Sequence, residues 1–328
     1  MLIDSFGRNI TYLRISVTDR CNERCAYCLP INGVTWLDKK DLLTANEIVR
    51  LAEAAIGLGI TKVRLTGGEP LVRPDILEII SKIAIIPGLK DLSLTTNGML
   101  LEKMAKPLVK AGLQRVNISL DTLDSEKYKK VTRLGNFEQT WQGILEAENA
   151  GLLPVKINTV VVGGFNDDEI IPIARLSLNH PWHIRFIELM PVANQEDWGS
   201  GLPTVEERYF SSQEMHKVLT SLNLEEVNSS ANSGPERTYR IPGGTGTVGF
   251  ISPLGDHFCM KCNRLRLTAD GCLKSCLLVD KEISIREALR SGADLTFFLQ
   301  NAVANKPIGH ELVSHNCPDT RYMSQIGG

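Results

Sequence analysis

Three cysteines fall within eight residues in "DRCNERCAYC", spaced C-x3-C-x2-C at Cys21, Cys25 and Cys28. Cysteine is common in protein interiors, but Arg20, Glu23 and Arg24 stand among these three, a poor pattern for a core segment. A structural zinc ion takes four protein ligands. The next His or Cys along the chain is His180, so zinc here needs a remote fourth ligand. An iron–sulfur cubane on three thiolates fits better, because it leaves one iron open to a small molecule. A second group lies in "FCMKCNRLRLTADGCLKSCL", where Cys259, Cys262 and Cys276 stand at C-x2-C-x13-C. Cys272 and His257 each offer a fourth ligand, so spacing alone leaves a zinc ribbon and a three-thiolate cluster both open. Arg264 and Arg266, two residues apart, point the same way on a strand. They read either as an exposed basic pair or as a phosphate clamp, since Arg binds phosphate through two parallel hydrogen bonds.

The elements that must position these side chains alternate between strand and helix from Leu13 to about Pro191. Strand candidates are "LRISVT", "KVRLTGG", "DLSLTTNG", "RVNISLD", "VKINTVV" and "HIRFIELM". Thr44 and Glu47 form a capping box ahead of "IVRLAEAAIGLG". Pro74 suits the first turn of "PDILEIISKIA". "LLEKMAKPLVKAG" and "FEQTWQGILEAENAG" each stop at a glycine. Six such repeats predict a parallel sheet, doubly wound or curved into a partial barrel.

Strand faces bear on that choice, because successive residues point to opposite sides. Leu13, Ile15 and Val17 oppose Arg14, Ser16 and Thr18, and Val63 and Leu65 oppose Arg64 and Thr66. Leu92 and Leu94 oppose Ser93, Thr95 and Asn97. Val116, Ile118 and Leu120 oppose Asn117, Ser119 and Asp121, and Ile157 opposes Lys156 and Asn158. A doubly wound sheet is apolar on both faces, and a closed eight-stranded barrel is filled with branched apolar side chains. One polar face predicts helices on one side and an open, wet lumen on the other, with Arg14, Arg64 and Lys156 suiting it to an anion. A sheet with one solvent-exposed face is the plainer alternative. After Pro191 the chain turns polar in "ANQEDWGSGLPTVEERYFSS" and "LNLEEVNSSANSGPER", then alternates in the hairpin-like "TYRIPGGTGTVGFISP".

The first cysteine motif, with Tyr27 before its last cysteine, resembles the signature of radical S-adenosylmethionine enzymes, and "TGGEP" (66–70) resembles their glycine-rich motif. The likeness extends over nearly the whole chain. "LRISVTDRCNERCAYC", "TGGEPL", "TTNG", "IELMP", "FCMKCNRLRLT" and the terminal "IGG" resemble the molybdenum-cofactor GTP 3′,8-cyclase family. This resemblance implies a partial (β/α)6 barrel open on one side over residues 1–198. It also implies a smaller C-terminal α+β domain, 199–328, that closes the lumen and carries a second cluster. It implies two [4Fe-4S] clusters, on Cys21, Cys25 and Cys28 and on Cys259, Cys262 and Cys276, with Cys272 and Cys317 outside both sets. S-adenosylmethionine would chelate the open iron of the first cluster and meet Tyr27, Gly68, Ser119 and Met190. GTP would meet Arg14, Arg64, Thr95, Lys156, Arg264 and Arg266, with its guanine at the second cluster. Gly327 and Gly328 would assist at the reacting centre. The implied reaction removes hydrogen from C3′ of GTP and joins that carbon to C8, giving 3′,8-cyclo-7,8-dihydro-GTP. The implied partners are an electron donor such as flavodoxin or ferredoxin and a downstream cyclic pyranopterin monophosphate synthase.

The bulk numbers set bounds on this reading. Of 328 residues 43% are apolar, enough for a sizeable core, and Lys+Arg 36 against Asp+Glu 38 leaves a net charge of -2. That balance argues against a chain-wide nucleic-acid or anionic-membrane surface. "MLIDSFGRNI" holds no secretory apolar stretch and no segment reads as membrane-spanning. A cytoplasmic location is expected, where close-set cysteines bind metal more often than they pair. A homodimer is compatible with the sequence. A peptide maturase with an auxiliary cluster and a non-catalytic metal-binding protein are the alternative functions.

Overall fold

The computed structural model describes residues 1–190, 198–204, 207–227, 236–254, 258–310 and 320–327. Six strands follow the predicted repeats: β1 (Tyr12–Ser16), β2 (Lys62–Thr66), β3 (Asp91–Thr96), β4 (Arg115–Ser119), β5 (Lys156–Val161) and β6 (His183–Glu188). They lie side by side in chain order, each parallel to the next. Helices Ala45–Gly57, Ile76–Ala84, Leu101–Lys110, Phe137–Asn149 and Ile170–Asn179 return the chain between them. The Thr44–Glu47 capping box forms in both directions. The second helix starts at Ile76, two residues beyond the predicted Pro74 start, with Asp75 at its N-cap. A further helix, Ser125–Thr132, was not predicted.

Six more strands come from the C-terminal part: β7 (Glu225–Glu226), β8 (Arg237–Arg240), β9 (Thr247–Ile251), β10 (Arg264–Leu267), β11 (Cys272–Lys274) and β12 (Ile283–Ser284). They make no sheet of their own but extend the first sheet at both edges, in the order β12-β11-β10-β1-β2-β3-β4-β5-β6-β9-β8-β7. The predicted hairpin is β8 and β9, antiparallel, and β9 in turn runs parallel to β6. β10 runs parallel to β1, pairing Leu13 with Leu265 and Arg14 with Arg266.

Leu13, Ile15, Val63, Leu65, Leu94, Val116, Ile118, Ile157, Ile184 and Phe186 are fully buried in one core with the helices. The opposite face carries the polar set predicted for it and lines a cavity. The helices therefore cover one side only, as an open barrel requires. No described helix is long and apolar enough to cross a membrane.

Candidate active site

Two ends of one lumen are set by strand direction. The chain leaves the C-terminal end of β1 and at once makes the loop holding Cys21, Cys25 and Cys28. Cys259 and Cys262 precede β10, which is parallel to β1, and the Asn263 carbonyl accepts from the Thr11 and Tyr12 amides at 3.2 and 3.1 Å. The second group thus lies at the other end of the strands. Antiparallel β11 carries the chain back to that end, and Cys276 follows it. The two groups are held apart by roughly the five residues of β1, about 16 Å at 3.3 Å per residue.

Neighbouring elements pin each cysteine loop. Arg24 and Ala26 amides donate to the Thr132 and Val131 carbonyls at 2.9 and 2.8 Å, so the end of helix Ser125–Thr132 holds the first loop. Arg133 donates to the Arg24 and Leu29 carbonyls at 3.2 and 3.0 Å. Tyr128 donates to Glu23 at 2.8 Å, and Tyr27 to Asp121 at 2.7 Å. At the second loop Arg8 donates to the Cys259 carbonyl at 2.7 Å and pairs with Asp4 at 2.5 Å. Buried Lys306 donates to the Arg264 carbonyl at 2.9 Å and to the Ser275 carbonyl.

All six cysteines are half-buried free thiols. Burial pushes Cys21, Cys25 and Cys28 up, Cys28 to about 12. Burial also raises Cys262, but Lys306 and Arg264 outweigh it and hold that thiol below its usual range. Each set supplies three thiols where a structural zinc takes four protein ligands, so the donor sets fit a cubane with one iron left open. His257 and Cys317 lie outside the described residues. Cys272 faces Arg321, Asp270 and Glu282, and burial pushes its thiol up to about 11.

Between the two ends the cavity encloses about 1470 Å³, counted out to its open mouth. Arg14, Tyr27, Arg64, Thr95, Ser119, Met190, Arg264, Arg266, Cys259, Cys262 and Cys276 all line it. Cys21, Cys25, Cys28, Gly68, Lys156 and Gly327 are not part of that wall. Gly68 packs behind it, where a Cβ would sit 2.3 Å from the Arg20 carbonyl oxygen. Its amide donates to the Thr18 carbonyl at 2.8 Å, tying the second strand to the first cysteine loop.

Five arginines on the wall, Arg14, Arg64, Arg185, Arg264 and Arg266, outnumber its two carboxylates, Asp121 and Glu188. Register places Arg266, Arg14 and Arg64 in one row across β10, β1 and β2. Burial, then Arg266, lowers Arg14 well below its ordinary value. Burial lowers Arg266 to about 10 and Arg64 to about 9, and burial with Arg185 brings Lys156 to about 7. Like charges crowded out of water are costly unless an anion joins them. Arg185, in register with Asn158 on the cavity wall, was not predicted, although the alternation of "HIRFIELM" marks it. Its Nε lies 3.0 Å from Glu236 Oε2. Thr95 Oγ1 and Asn158 Oδ1 are buried without a hydrogen-bond partner, and both line the cavity. Cations plus unused donors and acceptors fit a nucleoside polyphosphate.

The C-terminal segment reaches this lumen. Arg266 Nη1 donates to the Gly327 carbonyl at 2.7 Å. Gly327 has φ +81, and a Cβ there would meet Thr66 Cγ2 at 2.7 Å. Ile326 clusters with Leu278, a pair against which Met190 and Cys276 pack, and the Ser324 amide bonds the Cys28 thiol. Gly328 lies outside the described residues.

Residues 15–177 match the radical SAM superfamily, and residues 182–312 match the Molybdenum Cofactor Synthesis C family. The structure of Streptococcus suis SuiB bound to S-adenosylmethionine aligns with a TM-score of 0.64 at 14% identity, covering 89% of this chain and 68% of that one. That likeness shows the open-barrel fold of radical S-adenosylmethionine enzymes, and this chain is an enzyme of that class. A GTP 3′,8-cyclase from Moorella thermoacetica is 48% identical over 99% of each chain. One from Listeria monocytogenes is 44% identical over 100% of this chain and 99% of its own. The chain belongs to the GTP 3′,8-cyclase family, whose cofactors are S-adenosylmethionine and [4Fe-4S] clusters.

Proposed function

We propose that this chain cyclises GTP to 3′,8-cyclo-7,8-dihydro-GTP, the first step of molybdenum-cofactor biosynthesis. The observation that carries the reading is the row Arg266–Arg14–Arg64, buried at Arg266 and half-buried at the other two, on the wall of a lumen that lies between the two cysteine loops. When bound, the cluster on Cys21, Cys25 and Cys28 and S-adenosylmethionine supply a carbon radical that takes hydrogen from C3′ of the ribose. Every other contribution comes from the chain. Tyr27, Ser119 and Met190 line the wall for S-adenosylmethionine, and Gly68 lets the second strand close against the first cysteine loop. Arg14, Arg64, Lys156, Arg264 and Arg266, with Arg185, neutralise the triphosphate, and Thr95 offers it a hydroxyl. Cys259, Cys262 and Cys276 hold the second cluster at the far end, where the guanine binds. Fixing both ligands between rigid strands sets the distance from the reacting carbon to the radical, and excluding water protects that radical.

Gly327 and Gly328 assist by positioning the substrate or steering the radical. Residues 1–198 form the radical-generating unit, and 199–328 carry the second cluster and two of the six cations, Arg264 and Arg266. The electron arrives from a small carrier such as flavodoxin or ferredoxin, and a cyclic pyranopterin monophosphate synthase consumes the product. Location in the cytoplasm and a homodimeric state complete the reading. Anaerobic turnover of cluster-loaded protein with GTP and S-adenosylmethionine tests it by mass spectrometry. One cyclised product per methionine formed is expected; methionine formation that ignores GTP and yields no cyclised nucleotide would overturn it.

A further inference from the structure

The last described segment, 320–327, reaches the first cysteine loop through the Ser324 amide on Cys28 and the guanidinium row through the Gly327 carbonyl on Arg266, yet it begins on the outer edge of the sheet. At that edge stands Arg321. Its guanidinium donates to both carboxylate oxygens of Asp270, at 3.2 and 2.9 Å, and its Nε donates to Glu282 at 3.0 Å. Asp270 sits in the turn between β10 and β11, and Glu282 precedes β12. Both carboxylates are themselves held, Asp270 by the Thr268 hydroxyl at 2.5 Å and Glu282 by fully buried Lys274 at 3.0 Å. A two-carboxylate fork of this kind fixes a guanidinium in direction as well as distance.

Five residues separate Arg321 from Gly327, and their path is tight. A single helical turn, Met323–Ile326, takes up most of it, and the Gly327 amide closes that turn on the Met323 carbonyl at 3.0 Å. The turn leaves no slack, so the place of the Arg321 fork decides where the Gly327 carbonyl falls relative to Arg266. Without the fork, an arm this short at a chain end frays.

We propose that Arg321 is a positioning residue for cyclisation: its fork to Asp270 and Glu282 sets the reach of the terminal arm into the lumen. This rests on the reading that Gly327 acts beside the substrate. Arg321 touches neither substrate nor cofactor. It joins the arm to the same hairpin that carries Arg266, so arm and phosphate site move as one body.

The test compares wild type, Arg321→Ala, Asp270→Asn and a chain lacking residues 327 and 328, all cluster-loaded under anaerobic conditions. Hydrogen exchange of the 322–327 peptide reads the arm directly and needs no turnover. Iron content and GTP affinity are expected to stay at wild-type values in Arg321→Ala. Exchange should rise, and cyclised product per methionine formed should fall about tenfold, the scale of one lost charge-assisted contact. Asp270→Asn should do the same from the other side of the fork, and the double variant should be no worse than either alone. Full coupling in Arg321→Ala, with coupling lost in the truncated chain, would overturn the role of Arg321 and leave the arm's role standing. Full coupling in the truncated chain would instead overturn the reading of the arm. Should Arg321→Ala fail to bind iron, Asp270→Asn decides: unchanged exchange and coupling there overturn the proposal.

Discussion

Lys156 gives the sharpest quantitative handle on the phosphate site. It begins β5, in register with Asn117 and His183. Burial and the nearby Arg185 bring its ammonium to about 7, while Glu236 acts in the opposite direction. On the proposed function a bound triphosphate stands close enough to this group, set behind the cavity wall, to return it toward the ordinary lysine range. Above pH 7, binding must then be accompanied by proton uptake. The affinity for GTP scales as one over 1 + 10^(pH−7), so between pH 7 and 8.5 it falls about 16-fold, or about 1.6 kcal/mol. Unliganded stability changes in the opposite sense. The folded value lies below the unfolded one, so the cost of the buried charge is complete below pH 7 and fades as pH rises toward about 10.4. Titration calorimetry at pH 8 in two buffers of different ionisation enthalpy checks both, with about 0.9 proton taken up per GTP. Lys156→Gln should flatten the affinity profile and abolish most of that uptake. A wild-type affinity flat from pH 7 to 8.5, or an equal slope in Lys156→Gln, refutes the reasoning.

The other predictions address the remaining groups. Alanine at Cys259, Cys262 or Cys276 should remove about half the iron, given two cubanes of equal size, whereas Cys272→Ala should leave iron content unchanged by colorimetric assay. Arg264→Ala and Arg266→Ala should each weaken GTP binding by roughly 1.5–3 kcal/mol with both clusters assembled; unchanged affinity in both would return the pair to a purely structural role. Gly327→Ala places a Cβ 2.7 Å from Thr66 Cγ2. It should spare iron content and GTP affinity while product formation collapses and some methionine release survives, a contrast that chromatography of both products measures.

Much of this was legible in local patterns. Alternating polar and apolar residues in "LRISVT" and "KVRLTGG" correctly gave an open lumen, because each strand buries one face under helices. The cysteine spacings marked both triads. The pairing of β10 with β1 and of β9 with β6 was not legible, since residues some 250 and 65 positions apart leave no periodic trace of each other. For the same reason the C-terminal region appeared as a separate lid, while its strands extend the barrel sheet at both edges. Arg8, Arg133 and Lys306 were missed because a charged residue in a polar stretch looks exposed. Each satisfies carbonyls in or beside a cysteine loop, a partner set that no local pattern marks. Arg185 could have been found by extending the face count one strand further.

The parallel pairing of β1 with β10 has a chemical consequence. It puts a cysteine triad beyond one end of a strand pair and a second triad before the other. The wall between them holds Thr95 and Asn158 with their unused oxygens, flanked by the row of guanidiniums. On the proposed function, a triphosphate on that row carries its sugar into mid-lumen by covalent geometry alone. The terminal arm comes to the same place, with the Gly327 carbonyl on Arg266 and the Ser324 amide on Cys28, so one short segment ties the row of guanidiniums to the first cysteine loop.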